Sequence, residues 1–429
     1  MGQQTLLPIP SEFQQPDRAR DNDRIIAIDA LRGFALFGMV VVHMVEQYMG
    51  SPPPASQPSF GVFSTVDMVA RGIVGLLFMG KFFAMFSLLF GLSFFIQMDR
   101  TSGRGHAFTG RFLWRLALLF VIGAAHHLFY RGDILTIYAM LGASLVLFYR
   151  ASARTILVVA VLLGLGVPRL LLVGVAEAVG VRWMMLPDDR AVQTYFDTLR
   201  GGSLLAVFVS NVREGFLTKL EFQFGVFGRG YQTLALFLIG LYLGRLRWHE
   251  SLADLRRPLR RIALWGGVTF LAVGGVFGLL VATGGGPPST PAAITPWQAV
   301  VGLGLYDLFN LGFMCFLMAG FLLLYRAPAW HRVLRSLAPV GQTALTSYVC
   351  QSLIGTFIFY GYGLGRLGQI GAAGAVLLAL LVFAAQVGVA ALWLRSFRFG
   401  PVEWLWRSLT YGQLQPFQVG RHGSALPAA

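Results

Sequence analysis

The chain has 429 residues, 56% of them hydrophobic and 12% charged, with a net charge of +15 and a mean hydropathy of +0.65. A soluble chain of this length carries about twice that charged fraction and divides into two or three domains, so the soluble classes are excluded. The positive surplus would suggest nucleic acid in a soluble chain; here it lies in the connections between apolar blocks, and no nucleic-acid partner is expected.

Residues 1–23 are polar and lack an apolar core, which predicts a flexible tail followed by an uncleaved anchor. Apolar blocks follow at about 25–45, 68–97, 112–130, 134–149, 155–180, 229–246, 262–283, 298–325, 338–361 and 370–394. They approach or exceed the length that crosses about 30 Å of hydrocarbon. The expected fold is an all-α polytopic membrane bundle of about ten transmembrane helices, occupying residues 24–396. Between the blocks, SPPPASQPS in 46–67 reads as a stiff outer loop and GGGPPSTPAA at 284–293 as a plain one. The longest connection, 181–228, is charged and aromatic, and 190–222 predicts an amphipathic helix on the outer surface. The C-terminal segment 397–429 contains FRFGPVEWLWRSLTYG, an interfacial amphipathic stretch. Its Glu403 is the expected partner of Arg395, Arg398 and Arg407.

Alternate connections are basic. Arg18, Arg20 and Arg24, then Arg100, Arg104, Arg111 and Arg115, then Arg150 and Arg154 fall on one side. Arg245 to Arg261, Arg326 to Arg335 and Arg395 to Arg421 join them, whereas 46–67 and 284–297 hold no basic residue. This asymmetry predicts both termini in the cytoplasm and suits anionic lipids of the inner leaflet. Cys315 and Cys350 sit in apolar blocks and read as small packing residues.

Polar residues inside such blocks are functional candidates, because burying them costs several kcal/mol. Arg32 and His43 stand eleven positions apart in the first block, on nearly one face and about 16 Å apart along a helix. Asp29 lies one turn before Arg32 and can pair with it. Arg115 and His126 repeat the spacing in the third block, where Arg115 also reads as an ordinary interface anchor. His126 and His127 end that block, Asp133 opens the fourth, Asp67 opens the second, and Lys81 falls near mid-depth. Three histidines and two aspartates are thus expected around the outer third of the bundle. A neutral imidazole oriented by a carboxylate activates a hydroxyl. That makes His43, His126 and Asp133 the catalytic candidates, with Asp133 equally readable as a helix cap. Arg32 and Lys81 are candidates for holding an anionic donor. His127 reads as a cap beside Arg131, and Asp307 and Asn310 as interhelical hydrogen-bond partners. Tyr348 and Gln351, in a polar run opening the ninth block, read either as helix packing or as a cavity wall. No HxxxH or HExxH spacing, Walker A loop or Gly-x-Ser-x-Gly elbow is present, so no metal or bound cofactor is expected.

AIDALRGFALFGMVVVHM, GKFFAMFSLLFGLSFF, RGDILTIYAMLG, GQTALTSYVCQSLIGTFIFYGYGLG and FRFGPVEWLWRSLTYGQLQP closely resemble the YeiB-like bacterial membrane family, a domain of unknown function. That family is remotely similar to transmembrane acyltransferases, including the acyltransferase-3 and heparan N-acetyltransferase groups. The resemblance implies a bacterial inner-membrane protein that takes an acyl group from cytoplasmic acyl-CoA to a glycan or lipid-linked sugar outside. The acyltransferase-3 group carries an Arg and a His in its first span at the separation of Arg32 and His43. Many YeiB-like chains have Asn where this one has His43, which favours His126 as the base. The alternative expectation is a transporter or lipid-translocating protein whose buried charges line a path; a third is a scaffold in which they only join helices.

Overall fold

The computed structural model describes residues 15–48, 64–99, 107–181, 189–248, 255–283 and 295–419. The expected outer loops at 46–67 and 284–293, and the ends of both tails, fall largely outside them. Among the described residues the fold is helical, with one isolated bridge between Phe397 and Gln418. In chain order the helices are α1 (Gln15–Val42), α2 (Thr65–Leu77), α3 (Phe82–Asp99), α4 (Ala107–Phe129), α5 (Leu135–Tyr149), α6 (Ala153–Gly164), α7 (Val167–Ala178), α8 (Asp189–Gly201) and α9 (Leu204–Ser210). They continue as α10 (Phe216–Phe224), α11 (Arg229–Arg245), α12 (Arg256–Ala282), α13 (Pro296–Tyr325), α14 (Pro328–Arg335), α15 (Ala338–Gln342), α16 (Ala344–Phe359), α17 (Ala372–Ser396) and α18 (Pro401–Tyr411). α1 begins inside the stretch expected as a tail, and it ends in a π-helical turn, His43–Gln47.

Each of the ten apolar blocks falls on helix, but the lengths differ from the expectation. Among the described residues six helical spans are long and apolar enough to cross a membrane, or eight if two bent pairs each count once. α5 and α16 are apolar but shorter. The protein is a multi-pass membrane protein with about six to eight candidate spans.

Glycine sets the breaks. Gly166 (φ 76°) separates α6 from α7, a pair bent by 52°. Gly228 (φ 63°) precedes α11 at a 56° bend, and Gly80 (φ 82°) lies in the turn between α2 and α3. L side chains rarely adopt these backbone angles, so each break is written as Gly. Irregular backbone at membrane depth is tolerated only where protein satisfies its polar groups.

Packing follows the small-residue logic of membrane helices. α3 and α11 run together so closely that a side chain at Gly91 would meet the Phe237 carbonyl, and one at Gly240 the Leu88 carbonyl. The central core gathers Leu36, Val40, Met44, Phe94, Phe237 and Phe359 from α1 with its π-helical end, α3, α11 and α16. α12 packs on α13 and leaves Leu264, Trp265 and Leu271 exposed, an apolar face for lipid. The stretch expected as one surface helix, 190–222, is instead α8, α9 and α10 in succession, with a π-helical turn at Asn211–Gly215. Some polar residues of these helices turn inward: Asn211, Lys219 and Gln223 are buried, whereas Arg213, Glu214 and Thr218 are exposed.

Candidate functional site

α4 ends at Phe129, and a short turn through Gly132 brings Asp133 back beneath it. His126 and Asp133 therefore meet: Nδ1 lies 2.9 Å from Oδ1, with both side chains almost wholly buried. The same carboxylate accepts from the amides of Leu135 (3.1 Å) and Thr136 (3.0 Å) and from the Thr136 hydroxyl (2.7 Å). Asp133 is thus both the cap of α5 and the orienting group of His126, so the two readings of it coexist.

Lys219 of α10 completes the network. Its ammonium donates to Asp133 Oδ2 at 3.2 Å and to the Thr136 hydroxyl at 2.6 Å, and lies 3.4 Å from His127 Nδ1. Sequence reasoning missed this residue, because 181–228 read as a surface element. His127 is no simple cap: its Nε2 sits 2.9 Å from the Asn211 carbonyl, and the Tyr195 hydroxyl donates to the Asn211 side chain at 2.7 Å. Tyr195 also borders an open cleft of about 460 Å³ between α8 and α9. Burial pushes the Tyr195 hydroxyl up to about 12, so it remains a donor.

With Nδ1 held by Asp133, His126 keeps Nε2 buried and without a partner. His43 likewise has a buried Nδ1 without a partner. The two imidazoles share walls, since both pack on Tyr130 (5.5 and 5.9 Å between centroids) and Tyr348 (6.1 and 5.2 Å). A π-helical turn begins at His43, a feature frequent at functional positions.

Beside the histidines lies a cavity of about 290 Å³. Arg32, Arg115 and Arg407 line it together with several phenylalanines, Ile134, Leu135 and Tyr348, the last of which packs against both histidines. Arg32 lies on α1 and Arg115 on α4, each eleven positions before a histidine of its own helix. By helical rise each pair spans about 16 Å, so two helices frame the cavity with the same arginine-to-histidine separation. The Arg32 fork is fixed by Asp29 Oδ1 (2.5 Å) and the Ser93 hydroxyl (2.6 Å). The Arg115 guanidinium stacks 4.0 Å from the Trp406 ring centre, and Trp406 donates its indole N–H to the Arg115 carbonyl at 2.8 Å.

Three expected members lie elsewhere. Asp67 accepts from the Ala373 amide at 3.0 Å and caps α17. Lys81 does not join Arg32; the turn at Gly80 carries it to α13, where it sits over Phe309. Gln351 pairs with Gln386 of α17 at 2.8 Å, a link between helices rather than a cavity wall. Glu403 also differs from its expected pairing with Arg395, Arg398 and Arg407. It accepts from the amides of Leu345 (2.6 Å) and Thr346 (3.0 Å) and from the Thr346 hydroxyl (2.5 Å), capping α16 from another helix. Burial raises its carboxyl above the ordinary glutamate value, against the opposing pull of those donors. Among the described residues, His43, His126 and Asp133 belong to no group of three or more metal-ligating side chains.

A family model described as a protein of unknown function (DUF418) matches residues 243–413. The uncharacterised protein YxaH of Bacillus subtilis is 31% identical over 92% of this chain and 96% of its own length. The uncharacterised protein YeiB of Escherichia coli K12 is 30% identical over 90% of this chain and 96% of its own. An uncharacterised 39.9 kDa protein from the amylase 3' region of Bacillus acidopullulyticus is 25% identical over 92% and 96%.

Proposed function

This chain belongs to the YeiB-like, DUF418 family of membrane proteins, and from its site we propose that it is an acyltransferase of the bacterial inner membrane. It moves an acyl group from a cytoplasmic donor such as acyl-CoA to an extracytoplasmic glycan or lipid-linked sugar. The observation that carries the reading is the cavity lined by Arg32, Arg115 and Arg407, one of whose lining residues, Tyr348, also packs against the buried His43 and His126. The basic asymmetry of the connections supports ten crossings with both termini inside, which puts the arginines toward the cytoplasm.

In this reading the arginines hold the donor's phosphate oxygens, and a cavity of about 290 Å³ takes the acyl-bearing arm rather than the whole donor. The acceptor arrives from the cleft beside Tyr195. His126 Nε2 removes the acceptor hydroxyl proton as its oxygen attacks the thioester carbonyl; the carbon–sulfur bond breaks, and the proton leaves with the thiol. Asp133 and Lys219 keep the imidazole oriented with Nε2 free. Purified protein in nanodiscs should bind acyl-CoA and cleave its thioester, and His126→Ala should abolish cleavage while the protein stays folded. Cleavage that survives in both His126→Ala and His43→Ala removes the acyl-transfer reading.

The transporter reading draws on a different observation, the two bent helix pairs with glycine breaks, since discontinuous helices are how transporters build a binding site. Counterflow of substrate without thioester cleavage would favour it.

A further inference from the structure

Most buried cations of this bundle are matched. Asp29 answers Arg32, Asp133 answers Lys219, and Asp307 Oδ2 answers Arg169 at 2.9 Å. The Arg169 guanidinium is consumed further by the carbonyls of Val226 (2.6 Å) and Phe227 (2.8 Å), which close the end of α10.

Lys81 and Arg229 differ. Lys81 is fully buried, with its ammonium 3.4 Å from the Gly75 carbonyl and 4.8 Å from the centre of the Phe309 ring. Arg229 is half-buried between the faces of Phe83 (4.3 Å) and Phe222 (5.5 Å), and it donates to the Gln232 side chain at 2.9 Å. Ring faces and amide oxygens stabilise a cation but bring no negative charge. Asp307, the carboxylate near Arg229, is bonded to Arg169. Glu221 is turned against Gly225, beside Tyr231. Among the described residues neither Lys81 nor Arg229 makes an ion pair. Arg229 hydrogen-bonds the Tyr306 side chain and shares the charge of Asp307 with Arg169, and Lys81 adds a further cation, so positive charge is in surplus here, which is costly at membrane depth.

Their placement adds a second argument. Lys81 immediately precedes α3 and Arg229 begins α11, the two helices that run side by side from their glycine breaks. Two helix N-termini therefore open at the same level, with their free amides and positive dipole ends. A third observation is independent of charge: Asn310 Oδ1 is buried, has no partner and lies against Gly80. An acceptor left open beside cations fits a ligand that carries negative oxygens and a hydroxyl together.

We propose that Lys81, Arg229 and Asn310 form a binding site for a phosphate group, contributed by a lipid headgroup or by free phosphate. The ammonium and the guanidinium fork take its charged oxygens, and Asn310 Oδ1 accepts from a P–OH or a neighbouring ligand hydroxyl. The site stands whether or not His126 transfers acyl groups.

The test uses the full chain in phosphatidylcholine nanodiscs. Inorganic phosphate is titrated in one arm, and phosphatidic acid is doped into the discs in the other; binding is read by phosphorus NMR and thermal shift. Saturable binding that weakens at least tenfold in both Lys81→Met and Arg229→Gln, and persists in the surface variant Arg71→Gln, supports the site. Response to phosphate alone assigns a free anion, response to phosphatidic acid alone a headgroup, and response to both a headgroup site reachable from water. Binding of neither, or equal binding by both variants, overturns it. Without either ligand, Lys81→Met should melt no lower than the parent protein, because it removes an unmatched charge; a lower Tm reveals a resident counter-charge and also overturns the proposal.

Discussion

The Nδ1 nitrogen of His126 lies 2.9 Å from an Asp133 carboxylate that also receives Lys219. The imidazole thus has one nitrogen fixed and the other buried and open. Asp133→Asn should leave the Lys219 charge unpaired and lower the amount of folded protein, since breaking a buried pair costs about 3–5 kcal/mol. The double variant Asp133→Asn, Lys219→Met should recover abundance without recovering thioester cleavage. Recovery of both, measured in the same membrane preparation, would reduce the network to a structural one.

Arg32 bridges Asp29 and Ser93 through its two terminal nitrogens. Arg32→Lys should fold but bind acyl-CoA about tenfold more weakly or worse, because an ammonium cannot reproduce the fork. The double variant Asp29→Asn, Arg32→Gln removes both charges together and should stay folded while losing donor binding. Donor affinity close to that of the parent in a binding titration would confine Arg32 to a structural role.

Tyr348 separates the cavity from the two histidines. Tyr348→Ala should join the spaces and let water reach the donor, so thioester hydrolysis should rise relative to transfer. An unchanged ratio of hydrolysis to transfer, in an assay that follows both products, would mean that the ring does not gate the donor.

Glu403 gives a pH dependence with a defined sign. Its carboxyl is raised in the folded protein, so its contribution is fully present below the ordinary glutamate value. That contribution is lost as pH rises through the raised one. Tm should fall across that rise, and Glu403→Gln, which keeps an acceptor for the Leu345 and Thr346 amides, should flatten the slope. A slope equal to that of the parent would assign the pH effect to another group.

Reporter fusions after residues 60 and 290 should read outside, and a fusion after residue 255 inside. A cytoplasmic reading at 60 would reverse the direction of donor and acceptor entry.

The apolar blocks were legible because hydrocarbon imposes length and composition on any segment that crosses it. What stayed hidden depended on the breaks. His126 and Asp133 are seven positions apart, and the Gly132 turn that folds one under the other is local enough to read. Lys219 reaches them from 86 residues further along, on a segment whose charge resembled an exposed surface. Lys81 looked like a mid-depth partner for Arg32 only while 68–97 was taken as one unbroken helix; the positive φ at Gly80 sends it to α13 instead. Glu403 was read against its sequence neighbours, whereas its donors lie 57 and 58 residues earlier.

That last contact sets an order of assembly. The first amides of α16 have no acceptor for their cap until residue 403 has left the ribosome, and the α18 side of the cavity acquires Trp406 and Arg407 only then. Until then the helices up to α17 lack that wall, so closure of the cavity must follow the synthesis of α18. A chain interrupted between α17 and α18 would carry both histidines and the Asp133 network, yet lack the α18 wall of the cavity.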